Sequence, residues 1–504
     1  MESTDLPFLL ARRYRRKTTA ALMTLTVMIP IRTACVLLAL LTPTFGATAQ
    51  EIAPPPESIP QAATAAGLPA DAVGLFVQDP ATGRVVLAEG ADRAMNPAST
   101  MKLLTTYAGL EILGPAFTWK TEVWADGVLH GNVLTGNLVL KGSGDPKLTI
   151  ENFWLLLREL RSRGLKEIRG DLVLDRRTFA HQETDPARFD GDPTRAYNVG
   201  PDALLVNFKA LRILLLPDPD THTVKLLVDP PLRNVQVENR ITVTTGHCGD
   251  WRTLVGPQLQ DDGRTARVSF RGTFAVSCGV RSFYLSALRH SPYTGTLFLH
   301  LWEELGGTIS GTVRDGTTGP TARLLHTWES PPLAEVVRDI NKFSNNVMAQ
   351  QLFLTIGVEA SGPPATYEKS SLAIREWLGR KGLAFPELVL ENGSGLSRLE
   401  RISARHLGEL LTSAYRSPVM PELMASLPLV AVDGTMRKRL KEAGVAGQAH
   451  IKTGSLDGVK SIAGYVLDAK GRRVVTVCII NHPRANASAE VLQDAVLQWV
   501  YRRP

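Results

Sequence analysis

Three short motifs in this 504-residue chain carry residue types that can perform acyl transfer. In chain order they are Ser99-Thr100-Met101-Lys102, Ser344-Asn345-Asn346 and Lys452-Thr453-Gly454. A serine hydroxyl at its ordinary pKa is a poor nucleophile and needs a neighbouring base to take its proton. Helical patterning over residues 99–113 places positions i and i+3 on one face, so Lys102 can reach the hydroxyl of Ser99. The first motif therefore predicts a serine nucleophile and its proton acceptor.

A lysine can accept this proton only if its pKa is lowered by burial or by a second cation. Each unit of lowering corresponds to ~1.4 kcal/mol, so three units require ~4 kcal/mol from the fold. We expect Lys452 to be the second cation, and the helix N-terminus to favour negative charge on Ser99 Oγ. Taken singly, the motifs are also compatible with a helix cap, a solvated lysine and an ordinary strand. Their order and their surrounding elements favour the chemical interpretation.

The composition excludes several classes of protein. Apolar residues make up 44% of the chain and charged residues 21%, which excludes a fibre, a disordered regulator and a polytopic membrane protein. The formal charge is +7, but the first 49 residues hold six basic and only two acidic residues. The remainder is close to neutral, so charge gives no support for a nucleic-acid partner.

The N-terminal 49 residues have the pattern of an export signal. A basic stretch is followed by an apolar run over 35–41 and by the small-residue site Ala47-Thr48-Ala49 before Gln50. A membrane anchor is the alternative, but prolines and an arginine interrupt any apolar span of the required ~20 residues. The sequence predicts cleavage after Ala49 and no transmembrane anchor afterwards. Met1 and Met28 are both candidate start sites.

The four cysteines indicate one disulfide and no metal site. Cys35 leaves with the signal, and Cys478 lies in an apolar run that is typical of a core strand. Cys248 and Cys278 form a plausible bridge in an oxidising compartment, with roughly 3.5 kcal/mol from loop closure. The adjacent pair His247-Cys248 lacks the ligand spacing of a zinc site.

Strand and helix patterns indicate one domain that is assembled from both ends of the chain. A hairpin over 73–88 lies near the start, and two strands (461–467 and 473–480) with a closing helix (488–501) lie near the end. The intervening residues have short strands and few long helices, which indicates a long insertion. The expected domains are a signal peptide (1–49), a catalytic domain (50–116 and 326–504), a second domain (117–211 and 289–325) and a nested β domain (212–288).

Longer strings around the motifs resemble one enzyme family. They are Met95-Asn96-Pro97-Ala98-Ser99-Thr100-Met101-Lys102, Gly142-Ser143-Gly144-Asp145-Pro146, Tyr197-Asn198-Val199-Gly200-Pro201, Asn392-Gly393-Ser394-Gly395-Leu396-Ser397-Arg398, Asp433-Gly434-Thr435-Met436-Arg437 and Lys452-Thr453-Gly454-Ser455-Leu456. With them the chain resembles the penicillin-binding protein 4 type of D-alanyl-D-alanine carboxypeptidases/endopeptidases, within the serine penicillin-recognising enzymes. This similarity spans nearly everything after residue 50.

The resemblance implies a fold and a reaction. The fold is an α/β (α+β) transpeptidase/β-lactamase-like domain, with an antiparallel sheet flanked by helices and interrupted by two nested, mainly β insert domains. In the reaction, Ser99 attacks the carbonyl of the penultimate D-alanine and Lys102 accepts its proton. Ser344 relays the proton to the leaving D-alanine while Lys452 holds that hydroxyl. Asn346 bonds the peptide amide of the substrate.

The resemblance also implies how the third motif binds substrate. Thr453 binds the terminal carboxylate, and the strand through Gly454 brings the backbone N–H of Ser455 to the oxyanion. The N–H of Ser99 is the second donor of this oxyanion hole. Losing one such donor typically costs ~3–4 kcal/mol of transition-state stabilisation.

Three charged residues are candidates for recognition of the stem peptide. Asp145 and Arg398 can meet the charged side chain of its third residue, although a turn aspartate and a surface salt bridge are the alternatives. Asp457 follows the third motif closely enough to line the cleft. Asn392 stands where the family string often begins with Asp, and Asp457 stands where a neutral polar residue is familiar. Both departures bear on side-chain preference.

The expected protein is a periplasmic serine peptidase that needs no cofactor. Its expected partners are peptidoglycan stem peptides and cross-links, with β-lactams as covalent inhibitors. Two alternatives stay open at this point: a β-lactamase of the same fold and a non-catalytic wall-binding protein.

Overall fold

A computed structural model describes residues 57–181 and 185–503. The expected export signal and its cleavage site after Ala49 lie outside these residues. The α-helices are α1 (Ser58–Ala65), α2 (Lys102–Ile112), α3 (Ile150–Ser162), α4 (Trp251–Leu254), α5 (His290–Glu304), α6 (Leu333–Phe343), α7 (Asn346–Ser361), α8 (Tyr367–Arg380), α9 (Ala404–Tyr415), α10 (Met420–Ser426) and α11 (Ala485–Arg502). Within the two ranges, no helix has the length and apolar content needed to span a bilayer.

The strands form four sheets. They are β1 (Val73–Gln78), β2 (Val85–Glu89), β3 (Lys120–His130), β4 (Val133–Lys141), β5 (Glu167–Arg169), β6 (Leu172–Asp175), β7 (Ala210–Asp218), β8 (Thr223–Asp229), β9 (Val235–Thr244), β10 (Pro257–Asp261), β11 (Ala266–Ala275), β12 (Arg281–Ser286), β13 (Thr308–Ile309), β14 (Val313–Asp315), β15 (Arg323–Glu329), β16 (Ala449–Leu456), β17 (Val459–Leu467) and β18 (Arg473–Asn481).

The first sheet joins the two ends of the chain. Its order is β16-β17-β18-β1-β2, and each neighbouring pair is antiparallel. Successive side chains of a strand point to opposite faces. Along β18, Val477 and Ile479 accordingly pack into the core on one face, while Cys478 and Ile480 pack into the core on the other. The expected antiparallel sheet flanked by helices is confirmed.

Helix α2 lies in the interior of this domain. Helices α1 and α11 cover one face of the sheet, and α2 packs with α6 to α9 against the other. Residues 102–110 are all buried, so α2 has no solvent-facing side over this length. A lysine on such a helix is necessarily enclosed, and Lys102 is fully buried.

A second sheet is inserted between α2 and α6. Its order is β13-β5-β4-β3-β15, with β6 beside β4 and β14 beside β6, and α3 and α5 pack on it. The chain leaves and re-enters the first domain side by side, because the N–H of Trp119 donates to Ser330 Oγ (3.0 Å) and that of Ser330 donates to the carbonyl of Trp119 (3.0 Å). The expected boundary after residue 325 falls inside β15. The pairing of β15 with β3 continues to Glu329, so the chain returns to the first domain after that residue.

A third module is inserted within the second domain. Two three-stranded sheets, β12-β7-β8 and β10-β11-β9, enclose a small core that includes Phe270, Phe274 and Cys278. A disulfide joins Cys248 to Cys278 across a separation of 30 residues. It links the segment after β9 to the end of β11.

We expect removal of this disulfide to loosen the third module. Closing a loop of this length contributes roughly 3.5 kcal/mol to the free energy of unfolding. The double variant C248S/C278S should therefore be cut much faster by protease within residues 210–286, as mapped by mass spectrometry. Acylation of the protein by a penicillin serves as the control, because the disulfide lies outside the motif region. Equal cleavage rates for variant and wild type would contradict the expectation.

Candidate active site

The Ser99 hydroxyl and the Lys102 amine meet across one turn of 3-10 helix. Residues Ala98–Met101 form this turn and α2 follows directly, whereas the sequence predicted a single α-helix over both. Residues i and i+3 eclipse one another in a 3-10 helix. Lys102 Nζ accordingly lies 2.9 Å from Ser99 Oγ, at hydrogen-bond distance. The structure brings together the two residues that the first motif predicts.

Three acceptors surround the ammonium of Lys102. Besides Ser99 Oγ they are Asn346 Oδ1, at 2.6 Å, and the backbone carbonyl of Ser394. Burial lowers the pKa of Lys102 to about 7, and the carboxyl of Glu400 opposes that shift. A lysine with this pKa is uncharged in a large fraction of molecules at neutral pH, as a proton acceptor must be.

The second motif breaks a helix. Apolar residues at helical spacing run through residues 333–353, but α6 ends at Phe343 and Ser344 has a left-handed conformation (φ 56°, ψ 38°). The side chain of Asn345 then caps α7 by accepting from the N–H of Met348 (3.1 Å). A left-handed serine is strained, and such residues concentrate at functional sites. The break places Ser344 Oγ 2.8 Å from Lys452 Nζ.

Lys452 is the second buried ammonium of the site. It lies in the middle of β16, is fully buried, and also donates to the carbonyl of Thr453 (2.7 Å). Burial lowers the pKa of Lys452, and the neighbouring charge of Lys102 lowers it further. The sequence expectation placed the effect of a second cation on Lys102. In the structure, burial is the main cause of the lowered pKa of both lysines, and the repulsion between the two ammonium groups adds to it.

Strand β16 runs directly against the turn of Ser99. A Cβ atom on Gly454 would lie 2.2 Å from Ser461 Oγ and 2.9 Å from the backbone nitrogen of Ser99. Only glycine permits this approach. The backbone that leads into Ser455 therefore lies beside Ser99, the nucleophile. Thr453 Oγ1 lies 2.7 Å from Thr435 Oγ1, which forms a hydroxyl pair on the same edge.

Two charged residues of the predicted peptide site lie together at the rim. Arg398 Nη1 donates to the carbonyl of Asp457 (2.9 Å), and its guanidinium lies 4.9 Å from the ring centroid of Phe189. Arg398 and Asp457 are both exposed. Phe189 and Leu396 pack on the cluster that contains Ala98, so the rim is continuous with the turn of the nucleophile.

Asp145 has a different environment. Its side chain is only 2% exposed, and Oδ1 accepts from the N–H of Lys147 (2.7 Å), as a turn aspartate does. Burial raises the pKa of Asp145 to about 7. Across 57–181 and 185–503 its Oδ2 has no hydrogen-bond partner. The structure gives no contact between this carboxyl and Arg398 or Asp457.

Several groups at the site have no role in the sequence prediction. The amide of Asn346 also donates to the carbonyl of Tyr197 (3.2 Å), and the hydroxyl of Thr435 pairs with Thr453. Ser394 contributes a carbonyl to Lys102. Tyr197, Thr435 and Ser394 belong to strings that resemble the family, so their proximity to a motif was the signal that the sequence offered. Glu400 lies two residues beyond such a string and had none.

Known proteins are similar to this chain in sequence and fold. Residues 57–502 match the model of the D-Ala-D-Ala carboxypeptidase 3 (S13) family. A D-alanyl-D-alanine carboxypeptidase of Actinomadura sp. (strain R39) is 28% identical over 441 residues, which cover 84% of this chain and 80% of that protein. The D-alanyl-D-alanine carboxypeptidase DacB of Haemophilus influenzae is 26% identical over 411 residues, 81% of this chain and 85% of that protein.

The crystal structure of penicillin binding protein 4 (dacB) from Haemophilus influenzae has the same fold. It superposes with a TM-score of 0.75 and 24% identity, over 88% of this chain and 99% of that one. Since the family match extends over nearly the whole described part, the chain belongs to the D-Ala-D-Ala carboxypeptidase 3 (S13) family.

Proposed function

We propose that this chain is a serine D-alanyl-D-alanine carboxypeptidase/endopeptidase that acts on peptidoglycan stem peptides and cross-links. Its reaction passes through an acyl-enzyme on Ser99. The observation that carries the proposal is the 2.9 Å contact between Ser99 Oγ and Lys102 Nζ, in a site where burial lowers the pKa of Lys102 to about 7. A nucleophile and a base in contact are the signature of covalent catalysis.

Acylation begins with attack of Ser99 Oγ on the carbonyl carbon of the penultimate D-alanine. The hydroxyl proton moves to neutral Lys102, and negative charge develops on the carbonyl oxygen. The backbone N–H groups of Ser99 and Ser455 donate to this oxyanion. The close packing of Gly454 on Ser99 supports this role, because oxyanion donors must be fixed in advance.

Departure of the leaving group requires a proton on its nitrogen. Ser344 donates the proton of its hydroxyl, which Lys452 holds at 2.8 Å, and the proton that Lys102 took from Ser99 then passes to Ser344 to replace it. Water then hydrolyses the ester on Ser99, with Lys102 again accepting a proton. The leaving amine is free D-alanine in the carboxypeptidase reaction and a cross-linked residue in the endopeptidase reaction.

The remaining polar groups bind the substrate on either side of the scissile bond. Thr453, paired with Thr435, binds the terminal carboxylate, and Asn346 bonds the substrate amide when it exchanges its contact with the carbonyl of Tyr197. Arg398 and Asp457 at the rim meet the charged side chain of the stem peptide. Asp145 acts in the same recognition only if its buried carboxyl becomes accessible.

Inhibition by β-lactams and export belong to the same proposal. The Haemophilus influenzae homologue has been crystallised in complex with a β-lactam. A β-lactam presents a strained amide to Ser99 and leaves an ester that is hydrolysed slowly. Residues 1–49 have the pattern of a signal peptide, so we infer cleavage after Ala49 and a periplasmic location.

Covalent labelling tests the proposed function directly. Intact mass after exposure to a penicillin should increase by one equivalent of the drug, and peptide mapping should place the adduct on Ser99. S99A should give no adduct and no release of D-alanine from stem peptides. An adduct that turns over within seconds would indicate a β-lactamase. Wall binding without any adduct would indicate a non-catalytic protein.

The rate of acylation should depend on the protonation state of Lys102. Since its pKa is lowered to about 7, the lysine is neutral above this pH and charged below it. We expect the acylation rate to reach a plateau above pH 7 and to fall roughly tenfold for each pH unit on the acid side. Circular dichroism over the same range controls for unfolding. A rate that stays constant down to pH 5 would contradict Lys102 as the base.

The contact of Gly454 with Ser99 can be tested with one methyl group. G454A forces β16 away from the turn of Ser99, so acylation should fall by at least ~10²-fold, as for loss of an oxyanion donor. G379A is the matched control, because a Cβ on Gly379 meets no atom within 4 Å. Equal acylation by the two variants would refute the role of this contact.

A further inference from the structure

Glu400 is a carboxyl group enclosed in the interior near the site. Its side chain is fully buried, and it follows the loop that contains Ser394. No motif of the sequence includes it, and the reaction proposed above does not use it. A buried carboxyl loses its hydration, so its retention needs partners that offset the cost.

One oxygen of Glu400 holds a backbone loop in place. Oε1 accepts from the N–H groups of Gly393 (2.8 Å), Asn392 (3.0 Å) and Glu391 (3.3 Å). Three successive N–H groups can point at one oxygen only if the chain curls around it, and Gly393 has a φ of 68° in this curl. The conformation of the loop therefore depends on this carboxyl.

The same loop supplies acceptors to α2. The carbonyl of Ser394 accepts from Lys102 Nζ, and the carbonyl of Gly393 accepts from Thr105 Oγ1 at 2.6 Å. Glu400 thus holds the loop that supplies one of the three acceptors of Lys102, the carbonyl of Ser394. A displaced loop would change the direction in which the amine points toward Ser99.

The carboxyl of Glu400 also interacts electrostatically with Lys102. Oε2 is buried and has no hydrogen-bond partner among the described residues. Lys102 is the cation whose charge acts on Glu400, and Glu400 in turn acts on Tyr367, together with Glu391 and Arg188. Burial raises the pKa of Glu400, whereas the three N–H groups that donate to it and the charge of Lys102 act in the opposite direction and favour the ionised carboxylate. In turn, Glu400 opposes the lowering of the pKa of Lys102.

We propose that Glu400 is a positioning residue for acylation, which holds the Ser394 carbonyl against Lys102 and supplies the negative charge that faces this ammonium. The inference rests on the proposed function of Ser99 and Lys102. A neutral amide oxygen could also accept from the three N–H groups, although more weakly, but it could not balance the charge. The carboxylate therefore sets the pH at which Lys102 becomes a base, in addition to its role in the loop.

The variant E400Q separates these two roles. Glutamine keeps the size of the side chain and an oxygen for the loop, but it carries no charge. Without the carboxylate, protonated Lys102 is less stable, so the acid limb of the acylation rate should move to lower pH by ~0.5 unit or more. At pH 6 the variant should then retain roughly threefold more of its own plateau rate than wild type does. The probe is a fluorescent penicillin, and rates are measured from pH 5 to 9.

The variant E387Q is the matched control. Glu387 is a carboxyl that likewise accepts a backbone N–H, from Ser403 at 2.8 Å, but it is less buried than Glu400 and its side-chain partner is His406. The acid limb of the acylation rate of E387Q should coincide with that of wild type. If the acid limb of E400Q stays at its wild-type pH, whatever the plateau rate, the proposal is overturned. It is also overturned if the acid limb of E387Q shifts by as much as that of E400Q. A wild-type protein that is not acylated would instead refute the proposed function.

The variant E400D keeps the test valid if E400Q does not fold. Aspartate retains the charge but is one methylene shorter, so the loop is held less well. We expect a lower plateau with the acid limb at its wild-type pH. A limb that shifts in E400D by as much as the half unit expected of E400Q would contradict a role for the charge.

Discussion

Two lysine ammonium groups are buried side by side, and the rest of the site depends on this constraint. Lys102 and Lys452 are both fully enclosed, and burial lowers the pKa of each. For Lys102 the shift to about 7 corresponds to on the order of 4 kcal/mol of destabilisation of the folded state at neutral pH. Because the folded pKa lies below the unfolded one, this cost disappears only as the pH rises past about 10. The same burial makes the amine of Lys102 able to accept a proton.

The acceptors that make this burial possible come from distant parts of the chain. Lys102 uses Asn346 and Ser394, and Lys452 uses Ser344. A sheet that joins both termini and a helix enclosed on all sides are needed to bring these segments together. Local strain marks the places where they meet, in the left-handed Ser344 and at Gly454, where no Cβ fits. The fold is thus organised to surround two amines with oxygen atoms.

Periodicity in the sequence was sufficient to predict the elements that form this frame. The strand predicted over 73–78 has these bounds in the structure, and those of the C-terminal strands and helix differ by no more than three residues, because their apolar positions repeat regularly. The break at Ser344 could not be predicted, since its helical pattern continues on both sides and only the contact with Lys452 explains the left-handed turn. Glu400 could not be predicted either. A glutamate in a polar loop is ordinarily solvated, and its burial follows from the packing of the loop beneath α2.

The insertion contributes contacts at the edge of the site, whereas the amines of Lys102 and Lys452 belong to the first domain. The chain leaves and returns side by side through Trp119 and Ser330, so the inserted sheets do not separate the segments that surround the lysines. The insertion reaches the site through the carbonyl of Tyr197, which accepts from Asn346, and through Phe189, which stacks on Arg398. Both contacts involve side chains that we assign to substrate binding. Changes in the insertion can therefore alter which peptide is bound, and they reach Lys102 only indirectly, through Asn346, because the acceptors of that amine among the described residues (Ser99, Asn346 and Ser394) belong to the first domain.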